Sequence, residues 1–205
     1  MNARQSLQCL SLAVCCLLIT SCHDSKQPLS DPLKSKADPQ LVGVWRYRDD
    51  SGETTYYHLG SVGDKLPASV LHVTGITHKP DGKLTQCEFL VFPTTIGVGT
   101  YLNCFEGKEG QIKQLEEKGW NSDAATEYTF MKYRIDGDSM TLKWVDGDAK
   151  TRFVQAGKIK GVSEKDADGN SFTVLSDTTE NLVKFLSESS GELFSKDELR
   201  LERIK

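Results

Sequence analysis

Short turn motifs built on Asp and Gly recur from residue 49 to residue 170, and the runs between them indicate short strands. They lie at 49–52, 80–82, 136–138, 146–148 and 168–170. Glycine reaches the positive φ angles that tight hairpins need, so each motif predicts a hairpin turn. Between two of these turns, Met140, Leu142 and Trp144 alternate with polar residues. That period of two is typical of a strand with one solvated face.

The segments between the turns predict an all-β domain with about eight to ten barrel strands. The predicted strands are 41–48, 53–60, 68–79, 84–92, 98–105, 126–136, 139–144, 150–156, 158–163, 171–175 and 198–204. Strands at this even spacing favour an antiparallel meander, closed as a barrel or packed as a sandwich. Two helices are predicted, a short one over 107–118 and a second over 177–188, where Asp177 and Glu180 resemble a capping box. The second helix precedes the last strand.

The N-terminal residues resemble the signal peptide of a bacterial lipoprotein. Arg4 precedes the uncharged run Leu10–Ile19, which is too short to span about 30 Å of hydrocarbon as a helix. The residues Ile19-Thr20-Ser21-Cys22 resemble a lipobox. The resemblance implies cleavage after residue 21 and attachment of fatty acyl chains, palmitate among them, to Cys22. These chains would hold the protein stably on a membrane. The alternative is an ordinary secretory signal with a chance Cys.

Two further expectations concern the location and the linker. His23 rather than Asp follows Cys22, which by resemblance to lipoproteins of Gram-negative bacteria favours the periplasmic face of the outer membrane. Residues 23–39 are rich in Pro, Lys, Asp and Ser, and such a composition predicts a flexible tether. The predicted organisation is a signal peptide over 1–21, a lipidated Cys and tether over 22–39, and a single β domain over 40–205.

Gly43-Val44-Trp45 on the first predicted strand resembles the opening signature of the lipocalins. In that family the Trp plugs the closed end of the barrel and stacks on an Arg from a late strand. Here Arg200 or Arg203 could supply that cation–π contact. Thr126-Glu127-Tyr128 resembles a second short motif of the family, with Glu where Asp is usual. The resemblance implies a lipocalin-like barrel, and the alternative is a core Trp in another β fold.

The two remaining cysteines, Cys87 and Cys104, share strand parity with apolar neighbours and are predicted to face the apolar side of the sheet. If strands 84–92 and 98–105 form a hairpin around a loop at 94–97, the two residues lie opposite each other, near disulfide distance. An oxidising periplasm would then favour a disulfide. The alternative is a pair of buried thiols with a structural role.

Charge and motifs exclude several functional classes. A net charge of −4 argues against nucleic acid, which requires a basic surface. His58, His72 and His78 could converge on a metal, but isolated surface histidines are the simpler interpretation. Asp166–Asn170 lacks the closing Glu of a calcium loop. Because nucleophile, phosphate and dinucleotide motifs are also missing from the sequence, we expect no enzyme activity, no metal and no cofactor.

Two binding functions are consistent with these observations. In the first, a small apolar or amphipathic ligand occupies a lipocalin-like barrel whose interior is lined by residues including Leu71, Val73, Phe89, Val91 and Leu102. The ligand-contacting residues themselves are not predicted. In the second, the acidic domain binds a protein and acts as an inhibitor of a basic cell-wall hydrolase or as an immunity lipoprotein against a secreted toxin.

Overall fold

The computed structural model describes residues 23–61, 63–107, 110–120, 125, 127–166 and 168–205. The strands are β1 (Gly43–Arg48), β2 (Thr54–Ser61), β3 (Leu71–His78), β4 (Leu84–Ile96), β5 (Gly99–Phe105), β6 (Thr129–Asp136), β7 (Ser139–Trp144), β8 (Gly161–Lys165), β9 (Ser171–Leu175) and β10 (Leu199–Ile204). The helices are α1 (Gln111–Lys118), α2 (Gly147–Gln155) and α3 (Thr179–Leu193). The predicted signal peptide, Cys22 and Thr126 lie outside the described residues, so the interpretations of those positions stay predictions.

Eight of the strands close into an antiparallel barrel in the order β1-β2-β3-β4-β5-β6-β7-β10. The strands from β1 to β7 form a meander, and β10 closes the barrel by pairing with both β7 and β1. β8 and β9 form a separate two-stranded sheet, and α3 precedes β10. The prediction of an antiparallel meander barrel with a helix before the last strand is confirmed, and this architecture is consistent with a lipocalin-like barrel.

The barrel wall separates two hydrophobic cores. Most strands bury one face, but β4 and β5 bury both, because successive side chains on a strand point to opposite faces. Phe89 and Val91 of β4 join the interior core, whereas Leu90 and Phe92 join an outer core covered by α1 and α3. The interior core contains all the lining residues predicted from the sequence: Leu71, Val73, Phe89, Val91 and Leu102.

The segment predicted as a strand over 150–156 is helical, and that prediction is wrong. Asp146 caps the N-terminus of α2, because its carboxylate accepts a hydrogen bond from the Ala149 amide at 2.7 Å. Phe153 on α2 packs edge-on against Phe185 of α3, with ring centroids 4.9 Å apart. The Asp146-Gly147-Asp148 motif therefore starts a helix rather than a hairpin, and the apolar residues after it pack at helical spacing.

The segment predicted as a flexible tether is instead held against the barrel wall. We call residues 23–37 the strap. The Asp24 amide donates to the Tyr128 carbonyl at 2.8 Å, and the Leu175 amide donates to the Asp24 carbonyl at 2.8 Å. Further along, Leu29 is buried in the outer core, and its amide donates to the Asn103 side chain at 2.7 Å. The folded unit therefore includes residues 23–39 and does not begin at residue 40.

The strap is ordered despite its polar composition because it forms hydrogen bonds with the rest of the domain. The Ser69 hydroxyl donates to the Pro32 carbonyl at 2.7 Å, and the Thr179 hydroxyl donates to the Pro28 carbonyl at 2.8 Å. Prolines in the strap also lower the entropy that the unfolded chain loses on ordering. A segment with few apolar residues can thus be ordered when its polar groups find partners on a preformed surface.

The strongest attachment of the strap generates a test of this correction. Asp24 and Lys150 form an almost fully buried ion pair at 2.7 Å, and Asp24 also accepts a hydrogen bond from the Phe130 amide at 3.1 Å. Asp24→Ala leaves the Lys150 ammonium buried without its partner, so we expect the free energy of unfolding to fall by about 3 kcal/mol in urea denaturation. Lys34→Ala removes an exposed strap cation and should change it by less than about 1 kcal/mol. Equal effects of the two substitutions would contradict the fixed strap.

Candidate functional site at the mouth of the barrel

One end of the barrel is sealed by Trp45 and Arg203. We call it the closed end; it carries residues 38–42, where the chain enters β1, and the turns at 97–98 and 137–138. Trp45 is fully buried, and its indole nitrogen donates to the Leu41 carbonyl at 2.9 Å. The Arg203 guanidinium carbon lies 4.1 Å from the Trp45 ring centroid. Of the two arginines proposed from the sequence, the structure brings Arg203 to the Trp and leaves Arg200 exposed beside Glu198.

Arg203 also ties the entry of the chain to its last strand. Its guanidinium donates to the Val42 carbonyl at 2.7 Å and to the Gln40 carbonyl. Gly43 has a φ of 133°, and a Cβ there would lie 2.9 Å from the guanidinium. Glycine is therefore needed at position 43 for both its backbone angle and its lack of a side chain. Gly43 and Trp45, the predicted barrel-end signature, act with Arg203 as one packing unit.

The middle of the barrel is filled by its own side chains. Gly75 lies between Tyr57 of β2 and Cys87 of β4 in the strand register. A Cβ at Gly75 would lie 2.6 Å from the Cys87 sulfur and 3.2 Å from the Tyr57 ring. The Tyr57 ring and the Cys87 sulfur thus occupy the space that a side chain at position 75 would need. Phe89 and Tyr133 add two more buried aromatic rings to this interior core.

The predicted disulfide between Cys87 and Cys104 is not present. Both residues face the interior as their parity predicts, but Cys87 lies opposite Gly75, and Cys104 lies opposite Val91, four positions along β4 from Cys87. The hairpin was misplaced because the prediction ended the first strand at residue 92 and put the loop at 94–97. β4 instead continues to Ile96, and a two-residue turn follows at Gly97 and Val98.

The end opposite Trp45 has most of the partly buried side chains of the interior core, and we call it the mouth. It carries the turns at 49–53 and 79–83 and the connections that follow β5 and β7. Four interior side chains near this end are only partly buried: Tyr47, Cys87, Met131 and Trp144. Met131 and Trp144 lie opposite each other on β6 and β7. The mouth therefore exposes part of an apolar cluster with two aromatic side chains at the edge of the interior core.

Hydroxyl groups line the β2–β4 side of the mouth. Thr55, Thr77 and Thr85 follow one another across the register of β2, β3 and β4. The Thr55 and Thr77 hydroxyls hydrogen-bond at 2.9 Å. The buried Thr85 hydroxyl has no hydrogen-bond partner among the described residues. Its oxygen is shielded from solvent, so a ligand would reach it only after a local rearrangement.

Glu106 follows β5 at the mouth. Burial, together with the negative charge of nearby Asp24, raises the pKa of Glu106 to about 7. Burial also raises the pKa of the Cys104 thiol, with further contributions from Glu106 and Asp24, so this thiol stays protonated at neutral pH. Sequence reasoning missed Glu106, although it continues the inward parity of Leu102 and Cys104.

The three histidines considered for a metal are spread over the outside of the barrel. In the β2–β3 register, His58 lies opposite Thr74, His72 opposite Gly60, and His78 opposite Thr54. His72 lies 3.3 Å from a Glu116 oxygen and 3.8 Å from a Glu88 oxygen. Within the described ranges, no three His, Cys, Asp or Glu side chains are grouped so that they could hold a metal ion.

A second concave surface lies outside the barrel, between the end of α2 and the sheet of β8 and β9. It encloses about 490 Å³ and includes Lys158, Lys160 and Asp177. The Asp177 carboxylate already accepts hydrogen bonds from the Lys160 amide at 3.1 Å and the Asn181 side chain at 2.7 Å. Because the only carboxylate among the described residues that line this surface is used within the fold, the surface is a weaker candidate than the mouth.

No family model, curated protein or solved structure matches this chain. Among the helices of the part of the chain that the structure describes, none is both long and apolar enough to cross a bilayer. The candidate site therefore rests on the chain's own geometry.

The closed end leads to one prediction. Arg203→Ala removes the contact with the Trp45 ring and the hydrogen bonds to the chain entering β1, so the free energy of unfolding should fall by about 2 kcal/mol. Arg200→Ala, on the outward face of the same strand, should change it by less than about 0.5 kcal/mol. Urea denaturation measures both, and a loss no larger for the first variant would count against the sealing role.

Glu106 leads to a second prediction. Because its pKa is raised in the folded state, the folded chain holds this proton more tightly than the unfolded chain does. The stabilisation that this bound proton gives the folded state is therefore complete below pH 4.5, and it is lost as the pH rises to about 7. At pH 8 we expect Glu106→Gln to be more stable than wild type by about 1–2 kcal/mol, a value that allows for partial exposure. At pH 4.5 the two should be nearly equal.

Glu188→Gln, an exposed substitution on α3, is the matched control for the pH series. If the difference between Glu106→Gln and wild type varies with pH no more than the Glu188→Gln difference does, the raised pKa of Glu106 is contradicted.

Proposed function

We propose that this protein is a lipid-anchored binding protein of the periplasmic face of the outer membrane, and that it takes a small apolar or amphipathic ligand at the mouth of a lipocalin-like barrel. One observation carries the proposal: Trp45 and Arg203 pack together at one end of the barrel, while four of the five partly buried side chains that the structure describes on the interior core lie near the other. The lipobox-like residues ending at Cys22 support the anchor.

The packing of the interior limits the size of the ligand. Tyr57, Phe89 and Tyr133 are buried in the barrel, so a ligand would insert only a short apolar end between Met131 and Trp144. A single-chain amphiphile has an apolar end of this kind joined to a polar headgroup.

Trp144 provides a direct readout of binding at the mouth. Addition of a lysophospholipid below its micellar concentration should change the tryptophan emission of residues 23–205, and Trp144→Phe should remove most of that change. Met131→Glu places a charge in the apolar entrance and should weaken binding at least tenfold. Arg134→Glu, on the outward face of the same strand, should bind like wild type. Equal binding by the two glutamate variants would overturn the mouth as the site.

The filled interior also favours a second candidate function. A barrel occupied by its own side chains can act through its outer surface, and the acidic balance of the chain would attract a basic partner. The partner would be a cell-wall hydrolase or a secreted toxin. Stoichiometric inhibition of purified cationic peptidoglycan hydrolases would support this candidate, and inhibition retained in Met131→Glu would separate it from ligand binding at the mouth.

A further inference from the structure

We propose that the mouth of the barrel faces the bilayer at close range, with the closed end directed away from it. This inference rests on the lipid anchor at Cys22 put forward under the proposed function. It adds the orientation of the domain and identifies the bilayer as the surface against which the mouth lies.

The fixed position of the strap carries the inference. Ser25 is fully buried, and it exchanges backbone hydrogen bonds with Tyr128 at 3.0 and 2.9 Å. Asp24 is held by Lys150 and by the Phe130 amide. Cys22 is thus at most two residues from a fixed point on the domain, a reach of about 7 Å along an extended chain. A flexible tether over 23–39 would have allowed roughly 55 Å.

That fixed point lies at the mouth end of the barrel. Phe130 is the second residue of β6, and β6 starts at the same end as Met131, Trp144 and the turn at 49–53. The strap then runs toward the closed end, where Gln40 and Val42 accept hydrogen bonds from Arg203. Acyl chains on Cys22 would therefore bring this end of the barrel to the membrane surface.

The charges around the mouth do not decide the orientation by themselves. The turn at 49–53 carries Asp49, Asp50 and Glu53, and the turn at 79–83 carries Lys79, Asp81 and Lys83, so the two turns together are net negative and do not attract an anionic bilayer, while Lys26 pairs with Glu164 at 2.8 Å. The short, fixed connection to the anchor sets the orientation instead, so high salt should not change it. A ligand drawn from the bilayer could then enter the mouth without crossing bulk water.

Two labelling sites at opposite ends of the barrel test the orientation. Asp50 and Val98 are both exposed, one on the mouth turn after β1 and the other on the closed-end turn after β4. β4 spans the distance between the two ends with 13 residues, about 40 Å of strand. A fluorophore is placed at Asp50→Cys or Val98→Cys in a Cys87→Ala background, because Cys87 is partly exposed and Cys104 is buried.

The full lipoprotein is reconstituted in vesicles of phosphatidylethanolamine and phosphatidylglycerol that carry a nitroxide near the headgroups. We expect quenching at position 50 to exceed quenching at position 98 several-fold, with no change in about 0.5 M salt. Insertion of 15 Gly and Ser residues between Cys22 and His23 should remove the difference, since such a linker samples about 20 Å.

The outcomes separate this inference from the proposed function. A protein that carries acyl chains by intact mass but is quenched equally at both positions, or more at position 98, overturns the orientation and leaves the anchor standing. A membrane-extracted protein without acyl chains overturns the anchor and the orientation together.

Discussion

The apolar outward face of β4 and β5 is the constraint on which the rest of the structure depends. Closure of the barrel satisfies the strand backbones but leaves Leu90, Phe92 and Phe105 pointing away from the interior. Burying large apolar side chains stabilises a fold by about 1.5–3 kcal/mol each, so this face has to be covered. α1 and α3 supply much of the cover, and the strap fits beside them along the same wall. The long connections after β5 and β7 therefore contribute residues to the outer core.

A buried asparagine shows how the strap and the barrel wall depend on each other. Asn103 is fully buried on β5, where its amide nitrogen donates to the Phe92 carbonyl at 3.2 Å and the Thr94 hydroxyl at 2.8 Å. Its carboxamide oxygen accepts from the Leu29 amide of the strap. Because the strap covers this oxygen, burying it without the Leu29 amide as donor would be costly. The strap and β5 thus satisfy each other's polar groups.

Local sequence patterns predicted most of the barrel strands, because apolar and polar residues alternate along a strand with one solvated face. The predicted strands at 139–144 and 171–175 match the structure residue for residue. Two strand predictions were wrong. Asp146 caps α2, so the segment predicted as a strand over 150–156 is helical, and β4 continues past Pro93 to Ile96. The ordering of the strap depends on partners distant in sequence, such as Asn103 and Lys150, which composition cannot reveal.

The alternation of inward and outward residues along the strands could have predicted more of the site. Leu199 and Leu201 face the interior, so position 203 and not 200 shares the side of Trp45. The same argument places Glu106 after Leu102 and Cys104. Which inward residues stay partly exposed could not be predicted, because that depends on how the long connections cover each end.

The two ends of the barrel differ in how completely their polar groups are satisfied. At the closed end, the Trp45 indole and the Arg203 guanidinium both reach backbone carbonyls. At the mouth, the Thr85 hydroxyl lacks a partner in the described chain, and burial opposes ionisation of Glu106. Residues with unfavourable hydrogen bonding or ionisation tend to lie at binding sites. A ligand that binds the folded protein at the mouth, and does not bind the unfolded chain, would stabilise the barrel.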